Sequence, residues 1–145
     1  MYQQILLCYD GTAEGRRALR HGADIAMAMK SRAYLLAICR NLLATAVPEG
    51  VTPELVRCEE DSANRLLSEG VQWLKDHGVP AEGQLVFGNP MVQIPEAAKR
   101  IGADLVVVGH RYRTRLAKWW SEEEEATLLN KLSCSILVAV DNPVP

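Results

Sequence analysis

The chain predicts an open α/β fold: a mostly parallel five-stranded sheet with four helices on its two faces. Three observations carry this. Apolar runs short enough to be strands alternate with segments whose apolar residues recur every three or four positions. The strand runs are continuous rather than alternating, as in strands covered on both faces. Finally, 145 residues suffice for one core, and no linker, repeat or low-complexity tract divides them, so residues 1–145 read as one domain.

Ile5, Leu6, Leu7, Cys8 and Tyr9 form the first strand, ended by Asp10, Gly11 and Thr12. Gly15, Ala18, Leu19, Gly22, Ile25, Ala26 and Met29 place small and apolar groups on one face of a helix spanning about 14–29. A second strand covers 33–39, and 41–53, with Pro48, Gly50 and Pro53, reads as a loop. From Glu54 helical spacing returns along Leu55, Ser62, Ala63, Leu66, Gly70, Trp73 and His77, ended by Gly78 and Pro80.

Residues 84–87 alternate weakly, as an edge strand would, and Gly88, Asn89 and Pro90 turn into a helix carrying Ile94, Ala97, Ala98 and Ile101. Pro95 inside that segment removes a backbone donor, so the helix is expected to start late or kink there. A buried strand at 105–108 follows. The next helix is capped by Ser121, with Glu124 three residues on as the other half of a capping box, and Ile136–Val140 is the last strand.

Ligands of open α/β sheets sit outside the carboxyl ends of the strands, where strand order reverses. The ends of the first and fourth strands, at Asp10 and Gly109, are expected to meet there. After Gly109 comes a basic run, His110, Arg111, Arg113, Arg115 and Lys118, with almost no glycine; Trp119 and Trp120 follow, read as packing anchors. Glu122, Glu123, Glu124 and Glu125 then complement the positive end of a helix dipole. His110 is the histidine placed to touch a ligand, whereas His21 and His77 fall within or at the end of helices.

Composition narrows the function. A net charge of -2 with balanced acids and bases argues against nucleic-acid binding. Four cysteines without a C-x-x-C pair read as free thiols in a reducing cytoplasm, and no apolar run approaches the roughly 18 residues of a membrane span. Asp10-Gly11-Thr12 resembles the end of the aspartyl-phosphate motif D-x-D-G-T, but Cys8 stands at the nucleophile position, so that chemistry lacks its carboxylate. Neither a G-x-G-x-x-G after the first strand, nor a P-loop, nor a G-x-S-x-G elbow is present. No histidine pair has metal-ligand spacing, so no metal is expected.

Taken together, the first strand with Asp10-Gly11-Thr12, the Gly88-Asn89-Pro90 turn, the strand Asp104-Leu105-Val106-Val107-Val108-Gly109 and the ending Cys134-Ser135-Ile136-Leu137-Val138-Ala139-Val140 resemble the universal stress protein family over the whole chain. The resemblance implies an adenine nucleotide alpha hydrolase-like sheet of order 3-2-1-4-5 and homodimers formed through the last strand. It also implies nucleotide contacts at Asp10 and Ile38. ATP-binding members carry G-x2-G-x9-G-[ST] after the fourth strand; here its positions fall on Gly109, Tyr112, Glu122 and Glu123, so one of four survives. The candidate nucleotide crevice is therefore Asp10, Gly11, Thr12, Ile38, Gly109, His110, Arg111 and Arg113.

The expected function is a homodimeric stress-response or signalling domain that does not bind ATP in the family's usual way and needs no cofactor. The alternative is a module for ATP or another adenine nucleotide, at most a slow ATPase, in which the arginines of the basic run replace the glycine cradle with side-chain charge. The sequence names neither the stress nor a signalling partner.

Overall fold

Apolar runs that cannot reach water on either side must be covered on both faces, and the computed structural model, which describes residues 2–39, 53–111 and 122–141, shows how. In chain order the elements are β1 (Gln4–Tyr9), α1 (Ala13–Ala18), α2 (Arg20–Met29), β2 (Arg32–Cys39) and α3 (Pro53–Asp76). They continue as β3 (Ala81–Phe87), α4 (Pro90–Ile101), β4 (Leu105–Arg111), α5 (Glu122–Lys131) and β5 (Ser135–Asp141). The sheet order is β3-β2-β1-β4-β5, and each neighbouring pair is parallel.

Side chains of one strand point alternately to the two faces, so β1 serves two cores. Ile5, Leu7 and Tyr9 pack with Leu19, Ala23 and Leu67 from the α1, α2 and α3 side. Leu6 and Cys8 pack with Met91, Ile94 and Leu128 from the α4 and α5 side. Every residue of β1 from Ile5 to Tyr9 is buried, which is why the run carries no polar alternation.

The expected single helix over 14–29 is two. Leu19, at φ -78° and ψ -1°, donates its N–H to Arg16 O at 3.0 Å, a tightened turn that separates α1 from α2. Helical spacing does not reveal this, because a one-residue change of pitch leaves the apolar side chains on the same face. Among the described residues the five strands match expectation, and the helices number five rather than four.

α4 does not start late: it runs from Pro90 to Ile101 with Pro95 inside it, Asn89 Oδ1 accepting the Met91 N–H at 3.0 Å as N-cap. Pro95 leaves the Met91 carbonyl without its helical donor, and Lys131 Nζ of α5 reaches that oxygen at 3.4 Å. A neighbouring helix thus supplies the hydrogen bond that proline removes.

Among the described side chains of α3, Ala63 is buried as its stripe predicts, whereas Leu67 and Leu74 rather than Leu66 and Trp73 complete the buried face, one position on. Trp73 stays 39% exposed and stacks on His77, ring centroids 3.9 Å apart. At the far end of the sheet Asp104 accepts the backbone N–H of Gln3 (2.8 Å) and of Gln4 (3.1 Å), which ties the start of β4 to the start of β1.

Candidate functional site

At the carboxyl edge of the sheet the chain turns sharply after β1. Gly11 adopts φ +83°, a left-handed conformation costly for other residues, and a Cβ there would lie 2.9 Å from Cys39 Sγ. The turn is held by its own side chains: Asp10 Oδ1 accepts from Thr12 N at 3.0 Å and from Thr12 Oγ1 at 2.5 Å. Thr12 Oγ1 in turn accepts the Gly15 N–H at 3.1 Å, capping α1. An Asx turn feeding an N-cap therefore fixes the Asp10 carboxylate where β1 ends.

Gly109 sits directly beneath α1. A Cβ on it would meet Gly15 O at 2.8 Å, and one on Gly15 would meet Asp10 Oδ1 at 2.2 Å. The two glycines let α1 lie against the end of β4, so Gly109 has a packing role whether or not a ligand is bound.

Register then decides what stands beside Asp10. Tyr9 pairs with Ala37 and Cys8 with Val108. Continuing these ladders by one and two residues puts Ile38, Asp10 and His110 in one row across three adjacent strands, spanning roughly 10 Å. The side chain of Ile38 is fully buried among Leu6, Cys8, Met91 and Ile94, so its backbone is what a ligand would meet. His110 and Arg111 end β4. Arg113, with Tyr112, Arg115, Lys118, Trp119, Trp120 and Ser121, lies outside the described residues.

Two features had no local sequence signal. Cys39 closes the edge: its thiol lies 3.9 Å from Asp10 O, and its carbonyl accepts the Gly88 N–H at 2.9 Å, joining β2 to the turn before α4. Arg16 crosses from α1 to α3, donating to Leu66 O at 2.6 Å and pairing with Glu69 at 3.3 Å. These contacts span about thirty to fifty residues of chain, so no motif window contains them.

The ionisable groups behind the edge are held neutral. Burial, with a smaller contribution from the Cys134 thiol, pushes the Cys8 pKa well above its ordinary 9.0, so Cys8 offers no thiolate. Burial also raises Cys134, helped by the Asp104 charge. Tyr9 is raised by burial; Arg16 opposes this, while Cys39 and Asp10 add to it. The Tyr9 hydroxyl is fully buried and has no hydrogen-bond partner among the described residues.

At the start of α5 the four glutamates occupy the first turn, Glu123 exposed, where carboxylates complement the helix dipole. Among the described residues no group of three or more His, Cys, Asp or Glu could hold a metal, and no helix is long and apolar enough to cross a membrane.

A doubly wound sheet of order 3-2-1-4-5 with a polar turn at its switch point defines a class of α/β domains that carry a ligand edge at the carboxyl ends of β1 and β4. Within that class the chain belongs to the universal stress protein family, whose model matches residues 1–140. Its fold is shared with a universal stress protein family member from Burkholderia pseudomallei (22% identity, 94% of this chain and 95% of that one, TM-score 0.69). The fold is shared too with the universal stress protein from Archaeoglobus fulgidus in complex with dAMP (18% identity, 94% and 97%, TM-score 0.61). A third is a family protein from Arabidopsis thaliana with AMP bound (17% identity, 97% and 93%, TM-score 0.63). None of the curated proteins compared with the chain matches it.

Proposed function

We propose that this chain is a cytoplasmic stress-response or signalling domain that works as a homodimer and takes an adenine nucleoside monophosphate at the edge formed by Asp10, Ile38 and His110, binding ATP weakly or not at all. The observation that carries the reading is the Asp10 carboxylate, held by Thr12 where β1 ends between β2 and β4 at the switch point. Solved relatives of the same fold hold dAMP and AMP, which supports that choice of ligand class. A monophosphate brings less negative charge toward the glutamates that open α5 than a triphosphate does.

Calorimetric titration with AMP, ADP and ATP tests this directly. Affinity is expected to fall in that order. Tightest binding by ATP would overturn the order and favour the cradle of Arg111 and Arg113, and no heat from any of the three would reject the nucleotide reading altogether.

The dimer follows from the two sheet edges. β3 exposes Glu82 and Gln84, with Gln84 held by Tyr34 and Arg100, polar features that discourage further strand pairing. β5 instead carries Ile136, Leu137 and Val138 along an edge with β4 on one side only, and Val138 is 38% exposed. Pairing this strand with its own copy covers the edge with a two-fold contact. Light scattering is expected to give twice the chain mass, and Val138→Lys to return it to monomer. A wild-type monomer at micromolar concentration, or an unaltered dimer in Val138→Lys, removes β5 as the contact.

A further inference from the structure

The hydrogen bonds that shape the Asp10 turn are local. Asp10 Oδ1 accepts from Thr12 N and Thr12 Oγ1, Thr12 Oγ1 accepts the Gly15 N–H, and Thr12 O accepts the Arg16 N–H at 3.0 Å. These bonds give the turn its form but not its place in the molecule, because none of them reaches beyond residues 10–16. α1, which continues the turn, has six residues, and a helix that short does not hold itself in water. Its position has to come from contacts with other elements.

The Cys39 thiol reaches the turn from β2, but at 3.9 Å from Asp10 O it is a weak donor. Arg16 makes the stronger tie. Its side chain crosses to α3 and donates from Nη1 to Leu66 O at 2.6 Å, with Glu69 Oε2 3.3 Å from the same nitrogen. A notch in α3 seats the stem: a Cβ at Gly70 would lie 3.2 Å from Arg16 Cδ and 3.9 Å from Cγ. That closeness accounts for glycine at a helical position where alanine would favour the helix. The Leu66 carbonyl has a second lone pair beyond the one its own helix uses, so it can accept the guanidinium as well. Of the two contacts the carbonyl bond is the stronger anchor, since the Arg16 and Glu69 side chains are 31% and 54% exposed and an exposed ion pair contributes little.

We infer that Arg16 is a positioning residue of the nucleotide edge: anchored on α3 by the Leu66 carbonyl, it sets where Thr12 presents the Asp10 carboxylate to the ligand. The inference rests on the nucleotide reading above and adds to it a dependence on α3, an element outside the edge of Asp10, Ile38 and His110. Arg16 acts through other residues. Its side chain is fixed at Leu66, its own N–H fixes Thr12 O, and Thr12 fixes Asp10, a continuous route from α3 to the carboxylate. A carboxylate that recognises a ligand must be held in place as well as in shape, and this route supplies the place.

Calorimetric titration of AMP into three variants tests the inference. Arg16→Met keeps an unbranched stem in the Gly70 notch but removes the donor, and is expected to weaken AMP roughly fivefold or more. Arg16→Lys restores a donor on a similar stem and is expected to stay within about threefold of wild type. Glu69→Gln loses only the exposed ion pair and is expected to leave AMP affinity unchanged. Hydrogen exchange supplies a local readout: in Arg16→Met the Thr12 and Gly15 amides are expected to exchange faster, while those of β1 and β4 keep their wild-type rates. Wild-type protein gives a measurement that needs no variant to fold. By reciprocity, saturating AMP is expected to slow exchange of the Arg16 guanidinium protons. Unchanged affinity in Arg16→Met, a loss in Arg16→Lys or Glu69→Gln as large as in Arg16→Met, faster exchange spread evenly over the sheet, or guanidinium exchange indifferent to AMP would each overturn the inference. Absence of AMP binding to the wild type would instead remove the nucleotide reading and this inference with it, so the two failures are told apart.

Discussion

Changing Tyr112 and Glu122 to glycine and Glu123 to serine is expected to raise ATP affinity by one to three orders of magnitude. The argument starts at the N-terminus of a helix, where unsatisfied N–H groups and the dipole attract phosphate. α5 begins at Glu122, so two of the three substituted positions lie in its first turn, where negative side chains occupy the potential that an anion would otherwise use. At ~4 Å a carboxylate and a phosphate charge repel by about 1 kcal/mol in water and about 4 kcal/mol at an effective dielectric of 20. Those limits correspond to about fivefold and nearly a thousandfold in affinity for one such contact. Glycine at 112 also restores the residue type that the resemblance places at the second position of the ATP-binding motif. AMP affinity is expected to change far less, since one phosphate presents less charge to the turn. Calorimetry on the triple variant decides: unchanged ATP affinity would show that the glutamates and Tyr112 are not what excludes the triphosphate.

The sheet was legible in the sequence because strand segments buried on both faces must be apolar, and Ile5–Tyr9 of β1 and Leu105–Val108 of β4 are. The turn at Asp10, Gly11 and Thr12 was legible for a related reason: these are the first residues able to leave the buried run of β1, whereas Gly109 stays buried inside β4. Helix detail was harder to read. Side-chain periodicity locates an apolar face but not a one-residue change of pitch, so the break at Leu19 was invisible, and Gly70 and Trp73 drew the α3 stripe one position from its buried face. Pro95 was judged from its lost hydrogen bond alone, while the Lys131 amine that takes up the Met91 carbonyl comes from another helix. The same holds for the contacts of Arg16 with Leu66 and Glu69 and of Cys39 with Asp10, which exist only once the sheet has brought distant segments together.

Raising the pH from 9 to 11 is expected to cost the domain about 4 kcal/mol of stability, a large share of the roughly 5–15 kcal/mol typical of native proteins. Two buried acids adjacent in β1 account for it. Cys8 and Tyr9 have ordinary pKa values of 9.0 and 10.0, and burial raises both in the folded state. Above those ordinary values the unfolded chain releases the two protons while the folded chain keeps them. The folded state then binds more protons, and stability falls as pH rises; below pH 9 the contribution is fully present. Each group contributes a slope of about 1.4 kcal/mol per pH unit, starting near pH 9 for Cys8 and near pH 10 for Tyr9. Tyr9→Phe separates this from the titration of surface groups, which the variant shares with the wild type. Because the Tyr9 hydroxyl is buried without a partner among the described residues, its removal is expected to stabilise the domain by about 1 kcal/mol at pH 7. The variant's margin over wild type should widen by roughly another 1 kcal/mol by pH 11. Urea unfolding of both proteins at pH 7, 9 and 11 measures the two effects together. A Tyr9→Phe variant less stable than wild type at pH 7 would mean that the hydroxyl has a partner in solution, and a margin that does not grow with pH would mean that Tyr9 ionises in the folded protein as readily as in the unfolded chain.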